Sequence, residues 1–173
     1  MPRPDRESAV IVAVPQAEQA VGELRLRHTY DAPLGLPPHV SLLYPFVPPA
    51  DLTEDVEERL ARLIAAAAAF DVVFAHAARW PELVYLEPDP AEPFARLTAA
   101  IAAEWPEHPP YEGVHETVIP HLTVAESEDG AFLDRIAAGL APQLPIELRV
   151  REAQLYAEGE DGRWRERRTF PLG

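Results

Sequence analysis

A five-residue pattern occurs twice in the chain, and it constrains the possible fold more than any other sequence feature. The copies are residues 38–42 (PHVSL) and 120–124 (PHLTV), and each reads proline, histidine, aliphatic, hydroxyl, aliphatic. On a β-strand, successive side chains point to opposite faces. Each copy therefore places an imidazole and a hydroxyl side by side on one face and turns two aliphatic side chains into a core.

The residues around the two copies predict the same order of elements in both halves of the chain. A helix precedes each copy and another follows it, an antiparallel strand pair joins the halves, and strands end the chain. This order predicts an internal duplication, with His39 and His121 on equivalent strands of two small sheets that share a cleft. The predicted helices span residues 16–28, 51–67, 94–105 and 129–140, and the predicted strands besides the two copies span 8–14, 70–77, 83–86, 146–150, 154–156 and 163–170.

Local patterns predict where these elements begin and which faces they bury. Asp51 and Glu54 have the spacing of a capping box, with Asp51 as the N-cap of the second helix. In the first helix, Arg25 and Arg27 fall outside the predicted apolar stripe. A turn is predicted near residues 79–81, where a proline follows the first strand of the central pair.

The residue types that the chain lacks exclude several kinds of site. There is no cysteine and no lysine, so thiol nucleophiles, cysteine zinc sites, Schiff bases and a P-loop lysine are impossible. The eight glycines form no Gly-x-Gly-x-x-Gly pattern, and none of the three serines lies in Gly-x-Ser-x-Gly. The repeated histidines thus remain the one acid-base pair in matched surroundings.

Length and charge define what the chain can be as a whole. Its 173 residues, 47% of them hydrophobic, predict a single domain over 1–173 with two lobes. The charged N-terminus and the short apolar run after it fit neither a signal peptide nor a membrane span, so we expect a cytoplasmic monomer with no membrane partner. A net charge of -14 argues against an extended nucleic-acid surface but allows a small or end-on phosphate.

Four arginines near the C-terminus stand out from this acidic background. Two interpretations remain open for them: a solvated strand that balances nearby acids, or a rim that attracts an anionic substrate. They are Arg163, Arg165, Arg167 and Arg168.

Two imidazoles facing one cleft can act as a general acid and a general base, because histidine titrates near neutral pH. The hydroxyls of Ser41 and Thr123 are neutral donors suited to the non-bridging oxygens of a phosphate. This chemistry fits in-line cleavage of a phosphodiester. One histidine would deprotonate water or a ribose hydroxyl, and the other would protonate the leaving oxygen.

Two other roles stay open for the repeated histidines. A histidine on a strand often has a structural role, and imidazole is a common zinc ligand. No carboxylate or third histidine recurs at ligand spacing around both copies, and His115 would join His121 only through an unpredicted loop. We therefore expect no metal and no cofactor. Surface or packing roles are expected for His115, as for His28, His76 and His108.

The two copies, together with the residues that flank the first copy (36–46, LPPHVSLLYPF), resemble the 2H phosphoesterase superfamily. That superfamily includes 2'-5' RNA ligase-like proteins and cyclic nucleotide phosphodiesterases. Two His-x-Thr/Ser-x motifs define that family. The resemblance implies an α+β fold of two pseudo-symmetric lobes, with antiparallel sheets flanked by helices around a central cleft, and no metal. It also implies catalytic roles for His39 and His121 and phosphate binding by Ser41 and Thr123. Ser41 stands where threonine is commoner, which keeps the hydroxyl and loses a methyl group.

The resemblance further implies activity on 2',3'-cyclic phosphates, 2'-5' linkages and related nucleotide or RNA ends. We expect a metal-independent phosphodiesterase whose partner is a small nucleotide or an RNA end. Ligation at an RNA end and non-catalytic binding of a nucleotide or phosphorylated metabolite remain open, as does which histidine is the base. Candidates for stacking on a base, although each more often packs in a core, are Tyr44, Tyr85, Tyr156 and Trp164.

Overall fold

Two four-stranded antiparallel sheets and four helices form the framework in a computed structural model, which describes residues 5–114 and 118–173. The strands are β1 (Ser8–Ala13), β2 (His39–Leu43), β3 (Phe70–Trp80), β4 (Leu83–Asp89), β5 (Leu122–Glu126), β6 (Ile146–Val150), β7 (Glu152–Glu158) and β8 (Trp164–Pro171). The helices are α1 (Glu18–His28), α2 (Glu54–Ala65), α3 (Glu92–Glu104) and α4 (Gly130–Leu140). The predicted α+β class, the two lobes and the order of elements are confirmed.

Each sheet carries one copy of the repeated pattern at its edge. The first sheet has the order β2-β1-β7-β8, and the second has the order β5-β4-β3-β6. The edge strands β2 and β5 contact one another, so the two copies meet where the lobes join. The continuous apolar run of β1 suits its interior place, since strands covered on both faces need no polar alternation.

The helices pack reciprocally across the two lobes. Helix α1, which precedes β2 in the chain, packs against β5, and helix α3, which precedes β5, packs against β2. Helix α2 packs on β8, while α4 covers β3, β4 and β5. A continuous core of buried aliphatic and aromatic side chains runs through both lobes. The reciprocal packing supports the predicted pseudo-two-fold relation and clamps the two edge strands together.

Helix α2 begins later than the capping-box pattern predicts. Asp51 ends a short 3₁₀ turn, and the N-cap is Thr53, whose hydroxyl accepts a hydrogen bond from the backbone N–H of Val56 at 3.3 Å. The prediction of Asp51 as the cap was wrong. The reason is that two prolines, Pro48 and Pro49, impose the 3₁₀ turn first, which moves the start of the helix by two residues.

The turn of the central hairpin also lies later than predicted. Trp80 still pairs with Leu83 at the end of the β3–β4 ladder, so Pro81 and Glu82 make the turn. This shift keeps the indole of Trp80 on the sheet, beside the second copy of the pattern. No helix within residues 5–114 and 118–173 is long and apolar enough to cross a bilayer.

The two candidate caps of α2 can be told apart by stability. We expect Thr53→Ala to lower the free energy of unfolding by about 1 kcal/mol, because the N-cap oxygen is lost. Asp51→Ala, at an exposed position outside the helix, should change it by less than about 0.5 kcal/mol. Urea unfolding of both variants measures the difference, and a larger loss in Asp51→Ala would contradict this assignment.

Candidate active site

The two copies of the pattern adopt the alternation that the sequence predicts. Val40 and Leu42 on β2 are at most 1% exposed, and so are Leu122 and Val124 on β5. Ser41 and Thr123, which lie between these aliphatic residues, are half-buried. Each lies on the same face of its strand as the histidine of its motif, opposite the aliphatic side chains. The aliphatic residues thus anchor both strands in the core, and the polar pairs are left to line the junction of the lobes.

Both imidazoles are oriented by the same local hydrogen bond. His39 Nδ1 lies 2.7 Å from the carbonyl oxygen of Pro37, and His121 Nδ1 lies 2.7 Å from the carbonyl oxygen of Ile119. A carbonyl oxygen only accepts, so each Nδ1 must carry the proton and donate it. In the neutral ring, Nε2 is then an unprotonated acceptor. Each histidine is therefore held in the tautomer in which Nε2 exchanges protons with whatever occupies the junction.

His39 lies in a buried and charged environment. Its side chain is 11% exposed, and its Nε2 is 3.9 Å from a carboxylate oxygen of Asp31. Burial lowers the pKa of His39 below the ordinary value, Asp31 opposes this effect, and the nearby charges of Arg25 and His121 add to the lowering. A charge on His121 thus influences the pKa of His39, as expected where the edge strands β2 and β5 contact one another.

His121 lies among aromatic rings. Its ring centroid is 4.7 Å from that of Trp80 and 5.9 Å from that of Tyr85, both in edge-on arrangements. Tyr85 on β4 is the cross-strand partner of Thr123, so both lie on one face of the sheet. Burial lowers the pKa of His121 as well, which favours the neutral, proton-accepting ring near neutral pH.

Arg25 connects the two copies of the pattern from within helix α1. Its guanidinium donates to the carbonyl oxygen of Thr123 at 2.6 Å and to that of Pro37 at 3.3 Å, and it pairs with Asp31 at 3.2 Å. The Pro37 carbonyl is the same one that orients His39. The prediction that Arg25 lies outside the buried face of the first helix was wrong: its side chain is 1% exposed. The buried face of α1 meets β5, whose backbone carbonyls require a donor.

A cavity of about 660 Å³ opens beside His121. This volume is within the range of sites that bind small molecules. Most of its wall is apolar, and it adjoins the polar junction through Tyr111 and His121. The lining residues are Trp80, Pro81, Glu82, Leu83, Tyr111, Val118, Ile119 and His121.

The four candidates for base stacking fall into two places. Tyr85 contacts His121 and packs on Trp80, with ring centroids 4.4 Å apart. Tyr44, Tyr156 and Trp164 pack instead with Ile11, the cross-strand neighbour of Ser41, in a small separate cluster. Among the four, the aromatic ring that lies against a histidine of the pattern is thus Tyr85.

Three of the four C-terminal arginines form ion pairs with acids. Arg165 pairs with Asp161 at 2.6 Å, Arg167 with Glu57 at 2.8 Å and Arg168 with Glu58 at 2.8 Å. These pairs support the interpretation of β8 as a strand that balances nearby acids.

Two further histidines have the packing and surface roles that were expected for them. His28 packs edge-on against Phe132, with ring centroids 4.9 Å apart, and His76 is exposed. His115 lies outside the described residues. Within the described ranges, no three histidine or acidic side chains are grouped as metal ligands.

Sequence reasoning missed four residues of this region: Arg25, Asp31, Trp80 and Tyr111. Arg25 and Asp31 lie in a helix and in the loop before the first copy, where nothing local distinguishes them from surface charges. Trp80 lay in a predicted turn and Tyr111 in a loop rich in proline. The packing of α1 and of the 106–113 loop against the strands places Arg25, Asp31 and Tyr111 in this region. The pairing of β3, β4 and β5 places Trp80 beside His121.

Comparison with known proteins agrees with these motifs. A family model described as the 2'-5' RNA ligase superfamily matches residues 13–162. No curated protein is similar enough to the chain to count as a relative.

Three solved structures resemble the chain over nearly its whole length. LigT of E. coli, in complex with 3'-AMP, is 16% identical with a TM-score of 0.64, and the match covers 97% of this chain and 98% of that one. The protein TT0787 of Thermus thermophilus is 21% identical with a TM-score of 0.61, covering 96% and 97%. A protein described as a phosphoesterase is 16% identical with a TM-score of 0.61, covering 97% and 98%. At these identities the matches establish a shared fold.

The importance of Arg25 can be measured against a neighbour on the same helix. We expect Arg25→Met to lower the free energy of unfolding by about 3 kcal/mol. The substitution leaves Asp31 without its arginine partner and removes the donor to three backbone carbonyls, those of Thr123, Leu36 and Pro37. Arg27→Met breaks only the exposed pair with Glu23 and should cost less than about 1 kcal/mol. Equal losses in urea unfolding would show that Arg25 does not hold the junction together.

Proposed function

The chain belongs to the 2'-5' RNA ligase superfamily, and from this premise we propose that it is a metal-independent phosphodiesterase. Its substrate would be a 2',3'-cyclic phosphate or a 2'-5' linked nucleotide or RNA end. His39 and His121 transfer the protons, and Ser41 and Thr123 hold the phosphate. One observation carries the proposal: both Nδ1 atoms donate to a carbonyl two residues back, which leaves both Nε2 atoms for proton exchange.

The reaction needs two proton transfers on opposite sides of phosphorus. A neutral Nε2 takes a proton from water as the oxygen attacks, and a protonated Nε2 gives a proton to the ribose oxygen as its bond to phosphorus breaks. Negative charge grows on the non-bridging oxygens, where the Ser41 and Thr123 hydroxyls donate hydrogen bonds. The two imidazoles exchange protonation states in the process, and solvent restores them.

The cavity beside His121 suits the nucleoside part of such a substrate. Trp80 and Tyr111 offer aromatic surface, Ile119 is apolar and half exposed, and base stacking on such rings tolerates any base. E. coli LigT, which shares the fold, has been crystallised with 3'-AMP, ATP and NADP+. A small nucleotide also agrees with the acidic charge of this chain, which disfavours a long RNA.

Different surroundings support different proposed roles for the two histidines. The Asp31 carboxylate, 3.9 Å from His39 Nε2, stabilises a charged imidazolium there, and a bound phosphate adds to this effect. The ring of His121 lies against Trp80 and Tyr85, whose edges offer no negative charge near neutral pH. Because burial lowers the pKa of both rings, Asp31 and the bound phosphate are what would keep His39 protonated. On this ground we propose His39 as the general acid and His121 as the general base.

Hydrolysis of a panel of 2',3'-cyclic nucleotides and 2'-5' dinucleotides in EDTA tests the activity. The wild type should turn over at least one of them at a rate that EDTA leaves unchanged. His39→Asn and His121→Asn, which keep a donor for the Pro37 and Ile119 carbonyls, should each lower kcat by about 10²- to 10⁴-fold. His76→Asn, which removes an exposed imidazole far along β3, is the matched control and should retain full activity.

Other outcomes of this assay favour other functions. Loss of turnover in EDTA would contradict the metal-independent mechanism. Joining of RNA ends without hydrolysis would indicate a ligase. Nucleotide binding that survives in His39→Asn, together with no turnover in the wild type, would indicate a binding module.

A change of leaving group separates the acid from the base. A nitrophenyl phosphodiester releases a stable phenolate that needs little protonation, so loss of the general acid matters less. On it, we expect His39→Asn to lose less than about tenfold, while His121→Asn loses about as much as on a ribose leaving group. The reverse pattern would exchange the two assignments.

A further inference from the structure

The turn of the central hairpin forms part of the wall of the cavity of about 660 Å³, and hydrogen bonds hold both of its residues. Pro81 and Glu82 make this turn between β3 and β4. The guanidinium of Arg79 donates to the carbonyl oxygen of Pro81 at 3.2 Å and to that of Gly130 on α4 at 2.9 Å. The backbone N–H of Ser127, just beyond β5, donates to the carbonyl oxygen of Glu82 at 3.0 Å. The turn is therefore fastened to two neighbouring elements.

Glu82 differs in chemistry from the other residues of the cavity wall. Among the lining residues that the structure describes, it is the one with a carboxylate, and most of the others offer aromatic or apolar surface. Across residues 5–114 and 118–173, no hydrogen bond or ion pair engages this carboxylate. Because the backbone of Glu82 is held and its side chain is exposed, the carboxylate can turn towards a ligand without breaking an existing contact.

The aromatic rings of the cavity cannot select a base by themselves. Stacking on Trp80 or Tyr111 tolerates any base, because every base has an aromatic face. Stacked bases are distinguished by hydrogen bonds to their edges. A carboxylate only accepts hydrogen bonds, and its two oxygens can accept two parallel ones.

Guanine is the base whose edge matches a carboxylate. It presents two adjacent donors, N1–H and the N2 amino group, and these can donate to the two oxygens together. Adenine and cytosine place a ring-nitrogen acceptor beside their amino group, and uracil places a carbonyl oxygen on either side of N3–H. In each of these three bases, an acceptor would face a carboxylate oxygen, and two acceptors form no hydrogen bond.

We propose that Glu82 makes guanosine the preferred nucleoside of this site, and this inference rests on the function proposed above. The base stacks on Trp80, and its N1–H and N2 amino group donate to the Glu82 carboxylate. The fixed turn presents the ring and the carboxylate together, which reduces the cost of ordering them on binding. Since the base takes no part in the reaction, this contact is equal in the ground state and the transition state. It therefore lowers KM and leaves kcat unchanged.

Substrates of the class found in the panel, prepared with each of the four bases and with hypoxanthine, test this preference. The wild-type kcat/KM for the guanosine substrate should exceed those for adenosine, cytidine and uridine by about tenfold, mainly through KM. The hypoxanthine substrate keeps N1–H but lacks the N2 amino group, so its value should lie between. Glu82→Gln, whose amide can turn a donor towards the base, should reduce the preference to less than about twofold.

A matched control separates base recognition from a general effect of charge. Loss of a negative charge strengthens the binding of every phosphate alike, so the ratio between bases is the quantity to compare. Glu128→Gln removes the same charge from an exposed residue that is not part of the cavity wall. This variant should keep the wild-type preference for guanosine.

Calorimetric binding of guanosine and adenosine 3'-phosphates gives a readout that needs no turnover. The wild type should bind the guanosine compound about tenfold more tightly, and Glu82→Gln should bind both equally. Equal binding by the wild type, a preference for another base, a preference that survives in Glu82→Gln, or one that is also lost in Glu128→Gln would each overturn the inference. A guanosine preference without hydrolysis of any substrate would count against the proposed function alone.

Discussion

The buried guanidinium of Arg25 is the interaction on which the geometry of the junction depends. The motif strands β2 and β5 are both sheet edges, and an edge strand leaves backbone groups without ladder partners. Arg25 donates to Thr123 on one strand and to Pro37 at the start of the other, while Asp31 balances its charge. The two histidine motifs lie in different sheets, so no strand pairing connects them. The several N–H donors of the one guanidinium therefore set the spacing between the motifs.

The pseudo-symmetry of the fold extends to the hydrogen bonds and breaks in the surroundings of the two histidines. Thr98 on α3 donates to the Leu42 carbonyl on β2 at 2.6 Å, as Arg25 on α1 donates to the Thr123 carbonyl on β5. The neutral Thr98 hydroxyl on α3 thus occupies the place that the charged Arg25 guanidinium occupies on α1. Because the arginine requires Asp31, a carboxylate lies beside His39, whereas His121 lies against aromatic rings. Two similar lobes in this way surround the two imidazoles with different groups.

The sequence predicted the parts of this arrangement that depend on local pattern. Alternation placed the histidines and hydroxyls on one face of each strand, and helical periodicity gave the order of elements. Sequence reasoning failed where contacts with distant elements determine whether a residue is buried. A buried arginine on α1 has the same local sequence pattern as an exposed one. Thr53 replaced Asp51 as a cap since consecutive prolines imposed a turn first. Tyr111 reaches the cavity beside His121 through a turn whose conformation non-glycine residues seldom adopt, which no propensity predicts.

The balance of charges supports the proposal that hydroxyl groups, rather than cations, hold a phosphate at the junction. Arg25 is paired with Asp31, and Arg165, Arg167 and Arg168 on β8 are paired with acids, so these guanidinium groups are already engaged. Neutral donors attract a ground-state phosphate weakly, since their dipoles act only at contact. In a partly buried site they gain most as charge grows on the phosphate oxygens in the transition state. On the proposed function, an acidic protein would therefore lower the barrier to phosphodiester cleavage without first accumulating polyanions at its surface.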